Sequence, residues 1–180
     1  LMSKLYSFFL RSSLVLIYLV IGAGAIVRMT GSGMGCPDWP KCFGYLIPPT
    51  ERSQLDWKAS HFYKKGQVII IDESLRVASG DFTSGLLYNS ENWQRYSKHD
   101  YAIFNAKHTW IEFINRLLGA LAGLSTILLF LTSILFFKRD KVISLISFLI
   151  ITGMGFQGWL GKIVVDSNLL PYKISLHLGM

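Results

Sequence analysis

Three long stretches without a charged residue constrain this chain more than any other feature. Residues 12–27, 117–137 and 142–161 contain no Asp, Glu, Lys or Arg. The second and third are long enough to cross about 30 Å of hydrocarbon as α-helices. The first is slightly short, but the apolar residues 8–10 extend it while Arg11 reaches outward to the polar headgroups. The sequence therefore predicts transmembrane helices.

Composition supports a membrane protein and excludes other classes. Only 16% of the residues are charged, 51% are apolar, and the mean hydropathy is +0.39. A soluble domain carries about a quarter charged residues, and a disordered tail is more polar still. The net charge of +7 is explained by basic residues at membrane edges, so we expect membrane lipid rather than nucleic acid as a partner.

The predicted fold is an all-α transmembrane protein. We expect an antiparallel four-helix bundle with a truncated fourth helix, forming a single membrane domain over residues 1–180. The spans are expected at about 8–28, 111–137, 142–162 and 172–180, with a long extracytoplasmic loop at 29–110. Because the last apolar run, residues 174–180, is too short to span, we expect the chain to be a piece of a longer protein.

The first span has an alternative interpretation as a secretory signal peptide, because Ala23, Gly24 and Ala25 form a small-residue site. A retained helix is favoured because the apolar stretch continues to Val27. Either way, the segment that follows is exported.

Orientation follows from the basic residues in short loops. Lys138, Arg139 and Lys141 crowd one four-residue connection, which predicts a cytoplasmic position for 138–141 and for the N-terminus. Residues 29–110 and 162–173 are then extracytoplasmic. The chain is predicted to be an integral membrane protein of a bacterial-type plasma membrane.

The long loop has a mixed pattern. Leu55, Ala59, Phe62 and Tyr63 stand at helical spacing and predict an amphipathic helix after residue 50. Residues 68–71 suggest a short strand. Five aromatic residues suit a belt at the membrane interface before the second span: Trp93, Tyr96, Tyr101, Phe104 and Trp110.

Polar side chains near the outer ends of two spans are the candidate site. Glu112, Asn115 and Arg116 stand at i, i+3 and i+4 and so share one helix face, either as a local ion pair or as a functional site, since carboxylates in membranes are costly. His177 lies about 9 Å below the outer edge of the fourth span, at ~1.5 Å per residue. It is either a satisfied core residue or a ligand of a metal or heme iron. Glu112, Asn115 and His177 could meet at one depth.

Cys36 and Cys42 enclose five residues of an exported loop. An oxidising compartment favours a disulfide between them, and a structural role is favoured over a redox-active one. The nearby glycines of GSGMGC follow a membrane helix rather than a strand, so they do not form a dinucleotide loop. Glycines on the second and third spans indicate close helix packing or room for a flat ligand.

Four stretches together resemble the heme A synthases. They are GAGAIVRMTGSGMGCPDWPKCFG at 22–44, EFINRLLGALAG at 112–123, QGWLGKIVVDSNLLPY at 157–172 and SLHLG at 175–179. The resemblance implies the first, substrate-binding half of an eight-helix membrane oxidoreductase. Its reaction would oxidise a methyl group of heme O to a formyl group by successive hydroxylations with oxygen from water, in support of cytochrome oxidase assembly.

The resemblance also implies roles for individual residues. Glu112 matches the key acidic residue, His177 an iron ligand of heme O, and Arg116 the arginine that follows a second ligand position. Many members have histidine where this chain has Asn115, so either His108 substitutes as the second ligand or the iron has only one protein ligand. Cys36 and Cys42 match an outer-loop cysteine pair, and Arg116 with Asn115 would support a heme propionate.

Further implications concern partners outside this chain. Heme b is expected in the missing C-terminal half, and heme O synthase and a membrane electron acceptor are expected partners. We expect this chain alone to be inactive. The leading alternative is a membrane b-type cytochrome that passes electrons to quinone without modifying heme; a quinone-linked thiol oxidase and a structural assembly factor are further alternatives.

Overall fold

The computed structural model describes residues 2–96, 104–138, 140–167 and 169–179. The chain forms two compact units. The helical unit comprises Leu1–Thr30, Ile114–Val164 and Leu170–Met180, and the loop unit comprises Gly31–Phe113 and Val165–Leu169. Tyr101 and Arg139, which the sequence predictions used, lie outside the described residues.

Four α-helices account for the apolar stretches: α1 (Met2–Thr30), α2 (Ala106–Ile134), α3 (Lys141–Asp166) and α4 (Pro171–Gly179). The first three are long and apolar enough to cross a membrane. This agrees with the prediction of an α-helical membrane protein.

Polar residues mark where α2 and α3 begin. Asn105 Oδ1 accepts hydrogen bonds from the backbone N–H groups of Lys107 and His108, at 3.0 and 3.3 Å. Asp140 Oδ1 accepts one from Val142 at 2.9 Å. Such side chains satisfy the N–H groups that the first helical turn leaves unpaired. Helix α4 begins at Pro171, whose fixed φ suits the first helical position.

Small polar residues join helices in the helical unit. Ser13 of α1 and Ser125 of α2 are buried, with their hydroxyl oxygens 2.8 Å apart. The Ser144 hydroxyl of α3 donates to the Ser133 carbonyl of α2 at 2.8 Å. In lipid, close packing and hydrogen bonds of this kind hold helices together because burial of apolar surface gives no driving force.

The described residues of the loop unit form five short strands: β1 (Phe62–Tyr63), β2 (Val68–Ile71), β3 (Ser74–Ala78), β4 (Phe82–Thr83) and β5 (Trp93–Arg95). Strands β2, β3 and β5 form an antiparallel sheet, and β1 pairs with β4. The strand predicted at 68–71 is confirmed. The all-α prediction fits the spans, but it did not include the other four strands.

Two apolar clusters form the core of the loop unit. One contains both cysteines together with Phe43, Leu55, Val68, Ile70 and Leu75. The other contains Tyr63, Ile69, Ala78 and Trp93. Burial also raises the pKa of the Tyr63 phenol, whose oxygen accepts the Lys58 backbone N–H at 2.8 Å. The segment between α1 and α2 is therefore a folded module with its own core.

Two sequence predictions for this segment are wrong. The amphipathic helix after residue 50 is only a 3₁₀ turn at Arg52–Leu55, and Phe62–Tyr63 is strand β1. The interfacial aromatic belt is also wrong for Trp93, which is 6% exposed and packs against Tyr63 with ring centroids 4.9 Å apart.

Candidate functional site

Glu112 is a buried carboxylate in the second turn of α2. The residue is 4% exposed, and its Oε2 accepts the backbone N–H of Cys36 at 2.8 Å. Both residues belong to the loop unit. A carboxylate in such surroundings is costly unless it is hydrogen-bonded, so the Cys36 amide contributes directly to keeping it there.

The segment of residues 31–36 reaches Glu112 by lying directly on the backbone of α2. A Cβ added at Gly35 would come within 2.4 Å of the His108 carbonyl carbon and oxygen. The Thr109 hydroxyl donates to the Gly35 carbonyl at 2.8 Å. Ser32 Oγ lies 2.8 Å from His108 Nδ1. These contacts fix the position from which the Cys36 amide reaches the carboxylate.

The predicted disulfide is confirmed. Cys36 and Cys42 are joined with an S–S distance of 2.07 Å, and they are 0% and 1% exposed. Asp38, between them, accepts the backbone N–H groups of Phe43 and Gly44 at 2.6 and 2.8 Å. The disulfide therefore lies in the core of the loop unit, and this burial favours a structural role for it.

His177 lies in the helical unit and is paired with Gln157 of α3. Its Nδ1 is 2.9 Å from Gln157 Oε1, and Gln157 Nε2 donates to the His177 carbonyl at 3.0 Å. The imidazole is half-buried. Sequence reasoning selected His177 but missed Gln157, although a polar residue in an apolar span was an available signal.

Glycines leave room along α3 and α2. A Cβ built at Gly161 would lie 3.4 Å from His177 Cε1, while Cβ atoms at Gly153, Gly155 and Gly158 would have no atom within 4 Å. The same is true of Gly119 and Gly123 on α2. Among the described residues these glycines therefore mark open space rather than close helix contacts, which is compatible with a flat ligand.

The other candidate residues are divided between the two units. His108 belongs to the loop unit with Glu112, whereas Asn115, Arg116 and His177 belong to the helical unit. Asn115 Oδ1 is buried, has no hydrogen-bond partner within the described part of the chain, and lies 3.9 Å from a Cβ built at Gly24. That Glu112 and His177 meet at one depth stays a prediction.

Three helices long and apolar enough to cross a lipid bilayer define a membrane protein. Helix α4 contains His177, and the loop unit contains a disulfide and a buried glutamate. The family model described as cytochrome oxidase assembly protein matches residues 7–78 and 87–180. The chain belongs to this family.

Curated relatives agree with the resemblance seen in the sequence. The chain is 27% identical over 169 residues to a protein named heme A synthase from Shewanella oneidensis, covering 94% of the chain and 39% of the relative. It is 27% identical over 179 residues to the heme A synthase of Flavobacterium johnsoniae, covering 94% of the chain and 44% of the relative.

A shorter match is closer in sequence. The heme A synthase of Symbiobacterium thermophilum is 56% identical over 32 residues, which cover 18% of the chain and 10% of that protein. The chain spans about two fifths of the length of the longer-matching relatives. No solved structure matches it.

Proposed function

We propose that this chain is the substrate-binding half of a heme A synthase, which oxidises a methyl group of heme O to a formyl group. The observation that carries the proposal is the buried Glu112 carboxylate, held by the Cys36 amide, in a chain whose relatives bear that name. The proposed protein is an oxidoreductase that needs the remaining half, with its heme b, for turnover.

The chemistry explains why a buried carboxylate is required. Converting a methyl group and one water into a formyl group releases four electrons and four protons, and the electrons pass to a membrane electron acceptor. Withdrawing electrons leaves positive character on the reacting carbon. A fixed carboxylate in a site of low dielectric stabilises that charge, and it can also accept a proton from the attacking water. Glu112 is proposed for these roles.

His177 is proposed as the protein ligand of the heme O iron. The donor set fits, because a neutral imidazole with one nitrogen hydrogen-bonded offers the other nitrogen to a metal. The porphyrin would supply four nitrogen ligands of its own, so one histidine would be sufficient to hold the substrate. His108 is proposed as a second ligand, since amide side chains such as that of Asn115 bind iron poorly.

Arg116 and Asn115 are proposed to support the substrate. The guanidinium of Arg116 suits a heme propionate because its planar donors match carboxylate geometry. Asn115 Oδ1 is a buried acceptor without a described partner, so it can accept a hydrogen bond from water or substrate.

The proposed membrane arrangement follows from the charges of the connections. We propose an antiparallel four-helix bundle in a bacterial-type plasma membrane. The N-terminus and residues 138–141 are cytoplasmic, and residues 29–110 and 162–173 are extracytoplasmic. Heme O synthase is the proposed source of substrate, and lipid covers the apolar outer faces of the helices.

Replacing Glu112 by Gln in the full-length protein tests the proposal. Gln is nearly the same size but carries no charge, so we expect heme A formation to fall at least about 100-fold while heme O is still captured. The measurement is chromatography of the pigments extracted from the purified protein. Glu91→Gln, which changes an exposed carboxylate of the loop unit, is the matched control.

The identity of the extracted hemes distinguishes the proposed enzyme from the alternative functions. Accumulated heme O with little heme A in Glu112→Gln supports the catalytic role. Normal heme A formation in that variant would show that the carboxylate is not required. Heme B alone in the unaltered protein would instead identify an electron carrier.

A further inference from the structure

We propose that Gln157 is a positioning residue that fixes the tautomer of His177 and thereby leaves His177 Nε2 as the metal-binding nitrogen. This inference rests on the proposed function, because it concerns how the chain presents an imidazole to an iron porphyrin. It adds a residue to which the sequence assigned no role.

The two hydrogen bonds between these residues determine which atom of the Gln157 amide faces the imidazole. The His177 carbonyl lies 3.0 Å from Gln157 Nε2 and can only accept a hydrogen bond. The amide nitrogen must therefore point to that carbonyl. Turning the amide over would place two acceptor oxygens against each other. Gln157 Oε1 consequently faces His177 Nδ1, at 2.9 Å.

The proton on the imidazole follows from this orientation. Gln157 Oε1 has no hydrogen, so Nδ1 must carry the proton and donate it. In a neutral imidazole the other nitrogen, Nε2, then keeps its lone pair. Histidines that bind metals almost always donate their second nitrogen to an oxygen in this way, which fixes the ring and strengthens the ligand.

A glycine beside the ring leaves room next to Nε2. Gly161, one helical turn after Gln157 on α3, faces the same imidazole. A Cβ built there would be 3.7 Å from Nε2 and 3.4 Å from Cε1. Those distances are ordinary contacts, whereas a longer side chain at that position would extend past Cβ toward the ring. Gln157 therefore holds Nδ1, and Gly161 places no side chain against Cε1 and Nε2.

A polar side chain such as that of Gln157 is costly inside a membrane helix, so its pairing with His177 is not incidental. A glutamine in an apolar span loses water as a partner and must be satisfied by protein groups. Here both polar atoms of the Gln157 side chain are used on His177 alone. The pair therefore forms a closed unit of side-chain amide, imidazole and backbone carbonyl.

The test uses Gln157→Leu and Gln157→Glu in the full-length protein, with Gln94→Leu on the exposed edge of the loop unit as control. Heme occupancy and the reduction potential of the heme that His177→Ala removes are measured. Removing the acceptor in Gln157→Leu should weaken heme retention about 10- to 100-fold. A carboxylate at 157 draws the Nδ1 proton more strongly and makes Nε2 a stronger ligand. The potential should therefore fall in Gln157→Glu, a shift that misfolding would not produce.

A double variant distinguishes the proposed positioning role of Gln157 from the proposed iron ligation by His177. If Gln157 acts through His177, Gln157→Leu should add nothing to the loss caused by His177→Ala. If His177→Ala retains all of its heme, the proposed iron ligand is wrong. If His177→Ala loses heme but neither Gln157 variant changes occupancy or potential, the ligand stands and the role of Gln157 is overturned.

Discussion

Gly35 shows how one missing side chain positions a carboxylate. The residue lies against the backbone of α2, where an added Cβ would be 2.4 Å from the His108 carbonyl group and 2.6 Å from the Thr109 nitrogen. Helix backbone cannot move aside as a flexible side chain can. The next residue supplies the amide that binds Glu112. The contact of Gly35 with α2 therefore places the Cys36 amide where it binds the Glu112 carboxylate.

We predict that Gly35→Ala uncouples heme capture from product formation. The methyl group would lift residues 31–36 from α2 and break the Cys36 to Glu112 hydrogen bond, at a cost of about 1–3 kcal/mol. Heme O content should stay close to normal while heme A falls at least about 10-fold, as measured by pigment chromatography. Gly80→Ala is the control, because a Cβ there meets no atom within 4 Å. Unchanged heme A in Gly35→Ala would contradict this account.

The sequence predicts the charged and ligating residues better than the residues that hold them. Glu112 and His177 stand out because ionisable groups are rare in spans. Gln157 is neutral, and its pairing with His177 depends on a contact between residues twenty positions apart. Gly35 lies in a glycine-rich segment where no pattern distinguishes the one glycine that contacts a helix. A polar residue in an apolar span can be noticed in the sequence, but the contacts that Gln157 and Gly35 make become visible only when the chain is folded.

Among the elements, the β2–β3 hairpin carries an unfavourable turn. Its two connecting residues, Asp72 and Glu73, have φ of 47° and 51°, so both are in the left-handed region. Two-residue hairpins of this form favour Gly at the second position because side chains there are strained. Glu73 is exposed and gains nothing from burial that would offset the strain.

We therefore predict that Glu73→Gly stabilises the hairpin by about 0.5–1 kcal/mol, after allowing for the greater freedom of glycine in the unfolded chain. Hydrogen exchange at the Ile69 and Arg76 amides, which face each other across the β2–β3 ladder, should slow about two- to five-fold. Glu73→Ala removes the same carboxylate without relieving the backbone and should not slow exchange. Equal protection in the Gly and Ala variants would mean that the turn is not strained.

The same element scale explains which secondary structure was predictable. Long uncharged runs indicate spans because bilayer thickness sets a minimum length. The pattern after residue 50 failed because only Leu55 and Tyr63 of the four positions are buried, and each belongs to a different cluster. Helical spacing alone cannot distinguish one helix face from two separate core contacts.

At the scale of the whole molecule, two independent features bear on the proposed orientation. The basic residues around the α2–α3 connection favour the cytoplasm, and the disulfide in the loop unit favours an oxidising compartment. One predicted span, α2, lies between the loop unit and the α2–α3 connection. The two regions are therefore expected on opposite sides of the membrane. The disulfide is thus evidence for sidedness that is independent of the charge rule.

The sidedness can be measured with single cysteines, since both native cysteines are in the disulfide. We predict that a membrane-impermeant maleimide labels Leu87→Cys in intact spheroplasts, because this residue is 84% exposed in the loop unit. Lys138→Cys, also exposed, should be labelled only after the membrane is permeabilised. The unaltered protein should show no labelling, which controls for reduction of the disulfide. Labelling of Lys138→Cys but not Leu87→Cys in intact cells would reverse the proposed orientation. It would also place the Glu112 carboxylate on the cytoplasmic side, where a disulfide beside it would not persist.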